Sequence, residues 1–333
     1  MRYPLDFTIT QAMYMGKMGR KTKRFPTVCM LEPLYTCNLA CRGCTKERHT
    51  GKLEDRLTPE QCLHAVEECG VPIVSVCGGE PLIYPELPQL LEELIRRGKY
   101  IIMCTNSLLV EKKFFNIIPP DRHLFVNVHL DGMAKTHDMI CNRPGTWEQI
   151  IANIRHCKER GYLTICNCTV FRETDVDELE ELCKLLTDIH IDGILISPGY
   201  NYENSEADVF LSLKETFEKF NRIRQFADKY KISSTPAFLE FAAGMREVEC
   251  SPYSTVNYTP KGWKSPCYLI DDSEFYPDYK TFWESTDWEY WEAHKDRRCA
   301  NCRMHSGFEQ GCVRQAMAKF SDMLKMIKWQ FSG

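Results

Sequence analysis

The sequence predicts an α/β fold in which six strand–helix units form a partial (β/α)6 barrel, followed by a small cysteine-rich C-terminal domain. Short apolar, often β-branched segments alternate with amphipathic ones, which is typical of buried strands and the helices that cover them. Six such units in series favour a parallel sheet with right-handed crossovers. The alternation stops near Pro236, where aromatic, proline and cysteine residues become frequent. Because a closed barrel needs eight units, a partial barrel or open sheet is expected.

The strand candidates are short apolar segments of the kind that parallel sheets bury on both faces. They are Val28–Leu34, Ile73–Cys77, Tyr100–Thr105, Leu124–Leu130, Leu163–Val170 and Gly193–Ser197. In either parallel architecture, functional residues are expected at the carboxyl ends of these strands.

Several of the intervening helices carry start and stop signals. Thr58-Pro59-Glu60-Gln61 is a capping box with proline at the first helical position. Gly98 follows a helix predicted over Pro88–Arg97, as a helix-terminating glycine should. Further helices are predicted over residues 146–161, Asp175–His190 and Leu211–Tyr230.

Length and composition exclude several classes of protein. The 333 residues, 44% hydrophobic and 26% charged, predict one large domain with a smaller annex. A net charge of −4, spread along the chain, gives no support to a nucleic-acid partner. No apolar run approaches the ~20 residues of a membrane-spanning helix, and the N-terminus lacks the apolar core of a secretory signal, which predicts a cytoplasmic protein. The expected divisions are residues 1–24, 25–235 and 236–333.

The first of these divisions is basic and amphipathic. Its apolar and basic side chains are Ile9, Met13, Met15 and Met18, and Lys17, Arg20, Lys21, Lys23 and Arg24. Such a stretch can lie on anionic lipid, which would give a peripheral contact with the inner membrane surface. The alternative is a solvated arm that packs on the barrel.

The chain has eighteen cysteines, and three of them form a loop directly after the first strand. Cys37, Cys41 and Cys44 have the spacing C-x3-C-x2-C. Three thiolates in one tight loop can bind three corners of a cubane cluster and leave one iron open to a further ligand. The alternatives are three buried cysteines or a zinc site completed by His49, because zinc prefers four ligands. Spacing and position favour the cluster.

Two further segments follow the second and fourth strands. They are Gly78-Gly79-Glu80-Pro81 and His129-Leu130-Asp131-Gly132. Together with the cysteine loop they resemble the radical S-adenosylmethionine (SAM) superfamily, in which three thiolates bind a [4Fe-4S] cluster and SAM chelates the fourth iron. The resemblance implies that the glycines let the backbone approach the amino group of SAM, and that Glu80 offsets its charge. His129 replaces the serine of the family's turn.

The resemblance extends to the third and fifth strands, with one departure. Asn106, Asn167 and Thr169 end these strands, where the family's contacts to ribose and carboxylate usually lie. The residue before the third cysteine is commonly aromatic in the superfamily and contacts adenine, but here it is Gly43. Adenine is therefore expected to stack on another side chain or to sit differently.

A second group of cysteines lies in the last quarter of the chain. Cys250, Cys267, Cys299 and Cys302 resemble the "twitch" form of the SPASM auxiliary-cluster domains. Four thiolates in two pairs predict a second [4Fe-4S] cluster, although the same pattern suits zinc, with His305 as a substitute ligand. The remaining alternative is a set of buried cysteines without metal, which would include Cys312.

A more specific resemblance spans about residues 25–309. It rests on Met30–Leu34, Cys104–Asn106, Val128–Gly132, Ile196–Tyr200, Gly262–Leu269 and Cys299–Phe308. These segments look like the adenosylhopane synthase family of hopanoid biosynthesis. That family adds the 5′-deoxyadenosyl radical to the terminal alkene of diploptene, a pentacyclic C30 hydrocarbon. The resemblance also implies a reductase, flavodoxin or ferredoxin as electron donor.

Addition to an alkene leaves a carbon radical that must gain a hydrogen atom, or an electron and a proton. Cys104, at the end of the third strand, is the candidate donor, and its alternative is a small buried strand residue. Tyr200 and Tyr202 are alternative donors or pocket walls. An apolar tunnel is required for the substrate, and Pro236–Phe241 and Trp263 are candidate lining or ordinary core.

Two other functions remain open at this stage. A radical SAM enzyme with an auxiliary cluster could abstract hydrogen from a peptide or sugar. An iron–sulfur electron carrier or zinc-binding scaffold would not cleave SAM at all, and the missing fourth local cysteine argues against it.

Overall fold

The computed structural model describes residues 1–45, 47–201, 208–270 and 273–332. The strands are β1 Val28–Leu31, β2 Ile73–Val76, β3 Tyr100–Thr105, β4 Leu124–His129, β5 Leu163–Val170, β6 Gly193–Pro198, β7 Thr255–Thr259, β8 Gly262–Ser265 and β9 Glu274–Tyr276. The helices are α1 Leu5–Gly19, α2 Glu47–Thr50, α3 Pro59–Cys69, α4 Leu87–Arg96, α5 Val110–Lys113, α6 Ala134–Cys141, α7 Thr146–Glu159, α8 Val176–Asp188, α9 Leu213–Ile223, α10 Pro236–Ala242, α11 Tyr279–Ser285, α12 Trp288–Glu292, α13 His305–Ala318 and α14 Phe320–Phe331.

Within the described residues, nine strands form one sheet in the order β6-β5-β4-β3-β2-β1-β7-β8-β9. Strands β1 to β6 pair in parallel, each with the next along the chain. This is the predicted series of strand–helix units, and it brings the carboxyl ends of all six strands to one edge.

The apolar alternation of each strand separates two faces. In β3, Ile101 and Met103 are fully buried beneath the helices, whereas Ile102 and Cys104 are partly exposed on the opposite, inner face. The same period of two runs through β5, where Asn167 and Thr169 lie on the inner face. The inner face therefore carries the candidate functional side chains.

The predicted helix signals are present in the structure. Thr58 and Gln61 form the reciprocal capping box of α3, and Pro59 occupies the first turn. Gly98 has φ +68°, a left-handed conformation that glycine adopts without strain, directly after α4. Strands β1 and β2 are shorter than predicted because their apolar runs continue into the loops that carry the cysteines and glycines.

The C-terminal cysteine-rich region extends the sheet of the barrel instead of standing apart from it. Strand β7 pairs in parallel with β1, through Val28 opposite Thr255 and Leu31 opposite Tyr258. Strands β8 and β9 then add antiparallel. The boundary at residue 236 stays a prediction, but the sheet is continuous across it.

Helix α1 packs at the amino ends of the strands. Its Phe7 is buried and contacts Tyr100 and Phe125 edge-on, while Ile9 and Met13 are 48% and 70% exposed. The segment is thus a helix packed on the barrel, and one of its apolar faces stays exposed. None of the helices in the described parts of the chain has the length and apolar character that crossing a bilayer requires.

Candidate active site

A cavity of about 280 Å³ opens at the carboxyl ends of the strands, and we call it the upper cavity. Nearly every residue that the sequence singled out for the cluster, SAM and the radical lines it: Cys37, Cys41, Cys44, Gly78, Gly79, Glu80, Cys104, Asn106, His129, Asp131, Asn167 and Thr169. Pro81 does not line it, and instead begins a 3-10 turn behind Glu80. The topology therefore brings together side chains that are up to 132 residues apart in sequence.

The cysteine loop and the glycine turn pack backbone against backbone. The amide of Gly79 donates to the carbonyl of Leu34 at 2.9 Å, and the amide of Glu80 donates to the carbonyl of Thr36 at 2.9 Å. Gly78 has φ +105°, and a β-carbon at Gly79 would overlap the carbonyl of Thr36. The two glycines are thus needed here for the approach of the cysteine loop. An approach to the amino group of SAM stays a prediction.

Glu80 is fully enclosed, and its carboxylate is held by protein donors. One oxygen accepts from the hydroxyl of Thr105 at 2.6 Å and from the amide of Leu82 at 3.0 Å, and the other accepts from the amide of Asn106 at 2.8 Å. Burial raises the pKa of Glu80, and these hydrogen bonds oppose that rise. The carboxylate joins the ends of β2 and β3, so its expected charge pairing with SAM would be additional to this positioning role.

Asn106 in turn reaches the cysteine loop. Its side-chain amide donates to the side-chain oxygen of Asn38 at 2.8 Å, next to the sulfur of Cys37 at 3.9 Å. The ends of β2 and β3 and the cysteine loop are therefore connected through one chain of hydrogen bonds, which fixes the position of Cys37.

His129 and Asp131 form an ion pair at the end of β4. The His129 Nε2 atom lies 2.5 Å from Asp131 Oδ2, and Asp131 Oδ1 accepts from the amide of Thr169 at 2.8 Å. Burial of His129 disfavours its charge, but the adjacent carboxylate outweighs this and raises the pKa of His129 to about 9. The histidine that replaces the family's serine therefore brings a positive charge beside the cysteine loop.

A buried cysteine that sequence reasoning missed lies against the loop. The ligand atoms of Cys41, His129 and Cys141 all lie within 4.8 Å of one another. Cys141 ends α6, and its sulfur lies 3.2 Å from His137 Nε2. No sequence spacing links Cys141 to the loop, because their proximity depends on how α6 folds back over the end of β4.

The space beside Gly43 is filled by an aromatic ring from another strand. A β-carbon at Gly43 would lie 2.5 Å from Cζ of Phe171. Phe171 directly follows β5, lines the upper cavity, and contacts Phe210 edge-on with centroids 5.8 Å apart. Phe171 thus stands where an aromatic side chain from position 43 would go. The alternation Asn167, Thr169, Phe171 on the inner face was the sequence signal for it.

Cys104 lies at the floor of the upper cavity. Its sulfur is 3.6 Å from the hydroxyl of Ser75 and accepts from the amide nitrogen of Asn127 at 3.4 Å. Burial raises the pKa of Cys104, so the group is a thiol rather than a thiolate near neutral pH. A protonated thiol facing a cavity is the form that can donate a hydrogen atom.

The alternative hydrogen donors and the expected tunnel residues lie in other places than Cys104. Tyr200 lines the upper cavity, whereas Tyr202 lies outside the described residues. Phe238 and Phe241 are buried in the main core, and Trp263 packs on Phe282 with ring centroids 5.7 Å apart. These three aromatic residues belong to the core, and none of them lines the upper cavity.

Buried acceptors of the upper cavity provide a test of whether SAM fits. Among the described residues, the side-chain oxygens of Asn127 and Asn167 are buried without a hydrogen-bond partner. A buried carbonyl oxygen without a donor is rare, and a bound ligand is one of its ordinary explanations. SAM supplies amino and hydroxyl donors, and three cysteines in the same wall leave one corner of a cubane for it. The residues therefore fit both groups.

The four C-terminal cysteines converge on a second, small site. Cys250, Cys267, Cys299 and Cys302 line one cavity of about 40 Å³, together with His294. Cys312 is instead fully buried in the core. The expected substitute ligand His305 faces Ser197 at 3.3 Å and does not line the cavity. The sequence pairing of the four cysteines thus corresponds to a real cluster of thiols.

The four C-terminal sulfurs do not have the spacing of a tetrahedral zinc site. Within the part of the chain that the structure describes, no three of them lie within 4.8 Å of one another. Thiolates on one zinc ion lie about 4 Å apart, because each Zn–S bond is about 2.3 Å in a tetrahedral site. The second [4Fe-4S] cluster stays a prediction for these cysteines.

The fold and this site define a radical SAM domain. Residues 31–186 match the radical SAM superfamily, whose members use a [4Fe-4S] cluster and SAM. Residues 194–326 match a second family, described as a domain of unknown function (DUF3463). The second match begins in β6 and covers nearly all of that strand and the cysteine-rich region up to residue 326.

Curated relatives and solved structures agree with this classification. The chain is 23% identical over 239 residues to the Fe-coproporphyrin III synthase of Methanosarcina barkeri, covering 66% of this chain and 59% of that protein. It is 27% identical over 261 residues to the GTP 3′,8-cyclase of Thermodesulfovibrio yellowstonii, covering 72% and 80%. The crystal structure of Streptococcus suis SuiB bound to precursor peptide SuiA superposes with a TM-score of 0.67 at 16% identity, covering 96% and 78%. The chain thus spans less than two thirds of the synthase, and the likeness to SuiB concerns the fold.

Proposed function

We propose that this protein adds the 5′-deoxyadenosyl group of SAM to the terminal alkene of diploptene to form adenosylhopane. The observation that carries the proposal is the protonated thiol of Cys104 at the floor of the upper cavity, held between Ser75 and Asn127. Addition to an alkene leaves a carbon radical on the substrate, and a thiol in this position can quench that radical with a hydrogen atom. The segments that resemble the adenosylhopane synthase family supply the identity of the alkene.

The residues supply binding, orientation and a hydrogen atom. When bound, the cluster and SAM supply a 5′-deoxyadenosyl radical. Its addition to the CH₂ end of the alkene forms one C–C bond and leaves a carbon radical on the substrate. The thiol of Cys104 then gives a hydrogen atom to that carbon, which breaks the S–H bond and leaves a thiyl radical. One electron and one proton restore the thiol, and a flavodoxin, ferredoxin or other reductase is the proposed source of this electron and of the one that cleaves SAM.

The curated relatives favour a second candidate. The match to an Fe-coproporphyrin III synthase over 239 residues is a reason to consider a tetrapyrrole substrate. An enzyme that abstracts hydrogen from its substrate would release free 5′-deoxyadenosine.

The test compares products from one reduced enzyme. Anaerobic enzyme with dithionite and SAM is incubated with diploptene, with a coproporphyrin, or with neither, and the products are identified by mass spectrometry. Adenosylhopane formation supports the proposal. Free 5′-deoxyadenosine without an adduct from diploptene would reject it, and substrate-dependent change of the porphyrin would favour the second candidate.

A peripheral contact with the membrane is proposed as the route by which an insoluble substrate arrives. Helix α1 exposes Ile9 and Met13 close in sequence to Lys17 and Lys21, a combination that suits an anionic lipid surface. Flotation with vesicles containing anionic lipid tests this, with Met13→Glu expected to reduce binding and neutral vesicles as the comparison. Equal flotation of both proteins would reject the contact.

A further inference from the structure

A second and larger cavity lies at the opposite end of the barrel, and we call it the lower cavity. It has a volume of about 530 Å³ and lies between α1, α13, α14 and the amino ends of the first three strands. Its walls are mostly apolar and include Phe7, Met15, Ile73, Ile102, Met323 and Trp329. None of the residues that line the upper cavity lines this one.

The two cavities lie one above the other along the inner face of the barrel. In β1, Val28 lines the lower cavity and Met30 lines the upper one; in β3, Ile102 lines the lower and Cys104 the upper. Residues two apart on a strand are about 7 Å apart along it. No residue lines both cavities, so two successive levels of side chains separate them: Val28 and Ile102 border the lower cavity, and Met30 and Cys104 border the upper one.

The sizes of the cavities indicate which ligand each can hold. The upper cavity, at about 280 Å³, is at the lower end of the roughly 300–1,000 Å³ that one drug-sized ligand occupies. SAM alone accounts for a space of that size. A second large substrate therefore needs room elsewhere, and the lower cavity lies well within the range for one.

The rim of the lower cavity is apolar and open to solvent. Leu5, Met317, Ile327 and Phe331 line it while remaining 47%, 55%, 49% and 60% exposed. Large exposed apolar side chains around a concave opening mark a binding site more often than a structural defect. These four residues come from α1, α13 and α14, so the opening lies on the side away from the cysteine loop.

One acidic group faces this apolar space. Glu309 accepts from the amide of Thr235 at 2.7 Å through one oxygen, and among the described residues its other oxygen has no hydrogen-bond partner. Burial raises the pKa of Glu309 to about 7. The carboxyl is therefore neutral in a large fraction of molecules near neutral pH, which makes it compatible with an apolar ligand.

We propose that the lower cavity is the compartment that binds a rigid polycyclic hydrocarbon, which enters past α1 and α14 and points its reactive end along the barrel axis toward Cys104. The identity of the reaction rests on the proposed function, whereas the binding compartment does not. Approach from below brings the alkene to Val28 and Ile102, the inner-face residues that precede Met30 and Cys104 on the same strands.

Binding is measured with dehydroergosterol, a fluorescent rigid polycyclic probe that accepts excitation energy from tryptophan. Trp329 lines the lower cavity, so excitation of the wild-type protein is expected to give strong sensitised emission that Trp329→Phe removes in large part. Trp147→Phe is the matched control, since Trp147 lies on α7 and its indole N–H donates a hydrogen bond to the carbonyl of Gly132 at the other end of the barrel. Equal loss in both variants, or no loss in either, would overturn the assignment of the cavity.

Two substitutions, on opposite walls, are designed to obstruct the lower cavity. Ala12→Phe on α1 and Ala316→Phe on α13 each place a ring in the space and are expected to weaken probe binding at least about tenfold. Ala152→Phe, at an exposed position of α7, should bind as the wild type does. Ala12 is exposed, so its variant retains the fold even if the buried Ala316 does not tolerate a ring. Unchanged probe binding in Ala12→Phe would refute the proposal.

The catalytic readout separates this proposal from the reaction itself. With diploptene, the obstructing variants should keep dithionite-driven SAM cleavage and lose adenosylhopane. If the wild type binds the probe and forms no adduct, the reaction is wrong and the compartment stands. If Ala12→Phe makes adduct at the wild-type rate, the compartment is wrong and the reaction stands.

Discussion

The ring of Phe171 occupies the position that a side chain at Gly43 would need, because a β-carbon at Gly43 would lie 2.5 Å from Cζ of Phe171. The two residues are far apart in the sequence: Gly43 belongs to the cysteine loop, and Phe171 directly follows β5. In the superfamily that the sequence resembles, the residue at the position of Gly43 is commonly an aromatic residue that contacts adenine. The structure provides an aromatic ring in that wall from Phe171, so the two positions should behave as alternatives.

A double-mutant cycle tests this exchange. Phe171→Ala should weaken SAM binding by about 1 to 3 kcal/mol, the usual value of one base stacked on an aromatic ring. Gly43→Tyr alone should also weaken it, since overpacking costs about 1 to 3 kcal/mol. The double variant should recover affinity relative to either single variant, because the tyrosine then takes the vacated space. Equilibrium binding of SAM to the reconstituted protein measures all four; additive losses would contradict the exchange.

Cys104 should be needed for the last step of the reaction, in which the substrate radical gains a hydrogen atom, and not for the cleavage of SAM. Cys104→Ala is expected to retain SAM cleavage and to lose the saturated adduct, because the substrate radical then has no hydrogen donor. Cys104→Ser should fail in the same way, since an O–H bond is too strong for a carbon radical to break. Mass spectrometry of the products, with 5′-deoxyadenosine and methionine quantified in parallel, distinguishes the two steps.

The matched control is another thiol of the same wall. Cys77 also lines the upper cavity, where its sulfur lies 3.7 Å from the carbonyl oxygen of Leu31. Cys77→Ala should leave the adduct yield close to that of the wild type. A saturated adduct from Cys104→Ala at the wild-type yield would remove Cys104 from the mechanism and turn attention to Tyr200.

The iron content of cysteine variants should show how many iron–sulfur clusters the protein binds. A protein with alanine at Cys37, Cys41 and Cys44 is expected to retain one [4Fe-4S] cluster, held by the four C-terminal thiols. Adding Cys299→Ala and Cys302→Ala should remove it, and Cys312→Ala, in the core, should not. Metal analysis and EPR of anaerobically reconstituted protein make the measurement. Zinc in place of iron in the triple variant would assign the site to a structural ion.

The strands of the barrel could be predicted from the sequence more completely than the contacts between its loops and side chains. Alternating apolar runs located β3 and β5 to the residue, and the resemblance to the radical SAM superfamily singled out Asn106 and Asp131 at strand ends. Neither periodicity nor spacing can show that Glu80 is held by Thr105 and Asn106, because those bonds depend on how two loops pack. The pairing of β7 with β1 was missed for a similar reason, since a strand added in parallel across some 220 residues leaves no local signal.

Long-range packing also explains the residues that were not foreseen. Cys141 comes within 4.8 Å of Cys41 only because α6 covers the end of β4. The lower cavity is formed by helices from both ends of the chain, so no single segment indicates it. Site residues on one strand were predictable from the period of two, whereas sites made by distant helices were not.

Glu309 should make the stability of the protein depend on pH. In the unfolded chain a glutamate ionises near pH 4.3, whereas in the folded protein burial raises the pKa of Glu309 to about 7. As pH rises from 4.3 to 7, only the unfolded state loses this proton, so the free energy of unfolding falls; above 7 the loss is complete. Each pH unit of the shift corresponds to about 1.4 kcal/mol, so Glu309→Gln should gain about 1 to 3 kcal/mol at pH 8.

The measurement compares thermal unfolding of the anaerobic holoprotein at pH 5.5 and pH 8. Glu309→Gln keeps the acceptor for the amide of Thr235, so its effect reports the charge and not the loss of that hydrogen bond. Its Tm advantage over the wild type should be several degrees at pH 8 and clearly smaller at pH 5.5. Glu284→Gln, at an exposed position of α11, should show neither difference. An equal Tm change at both pH values would mean that Glu309 is already ionised in the folded protein at pH 5.5.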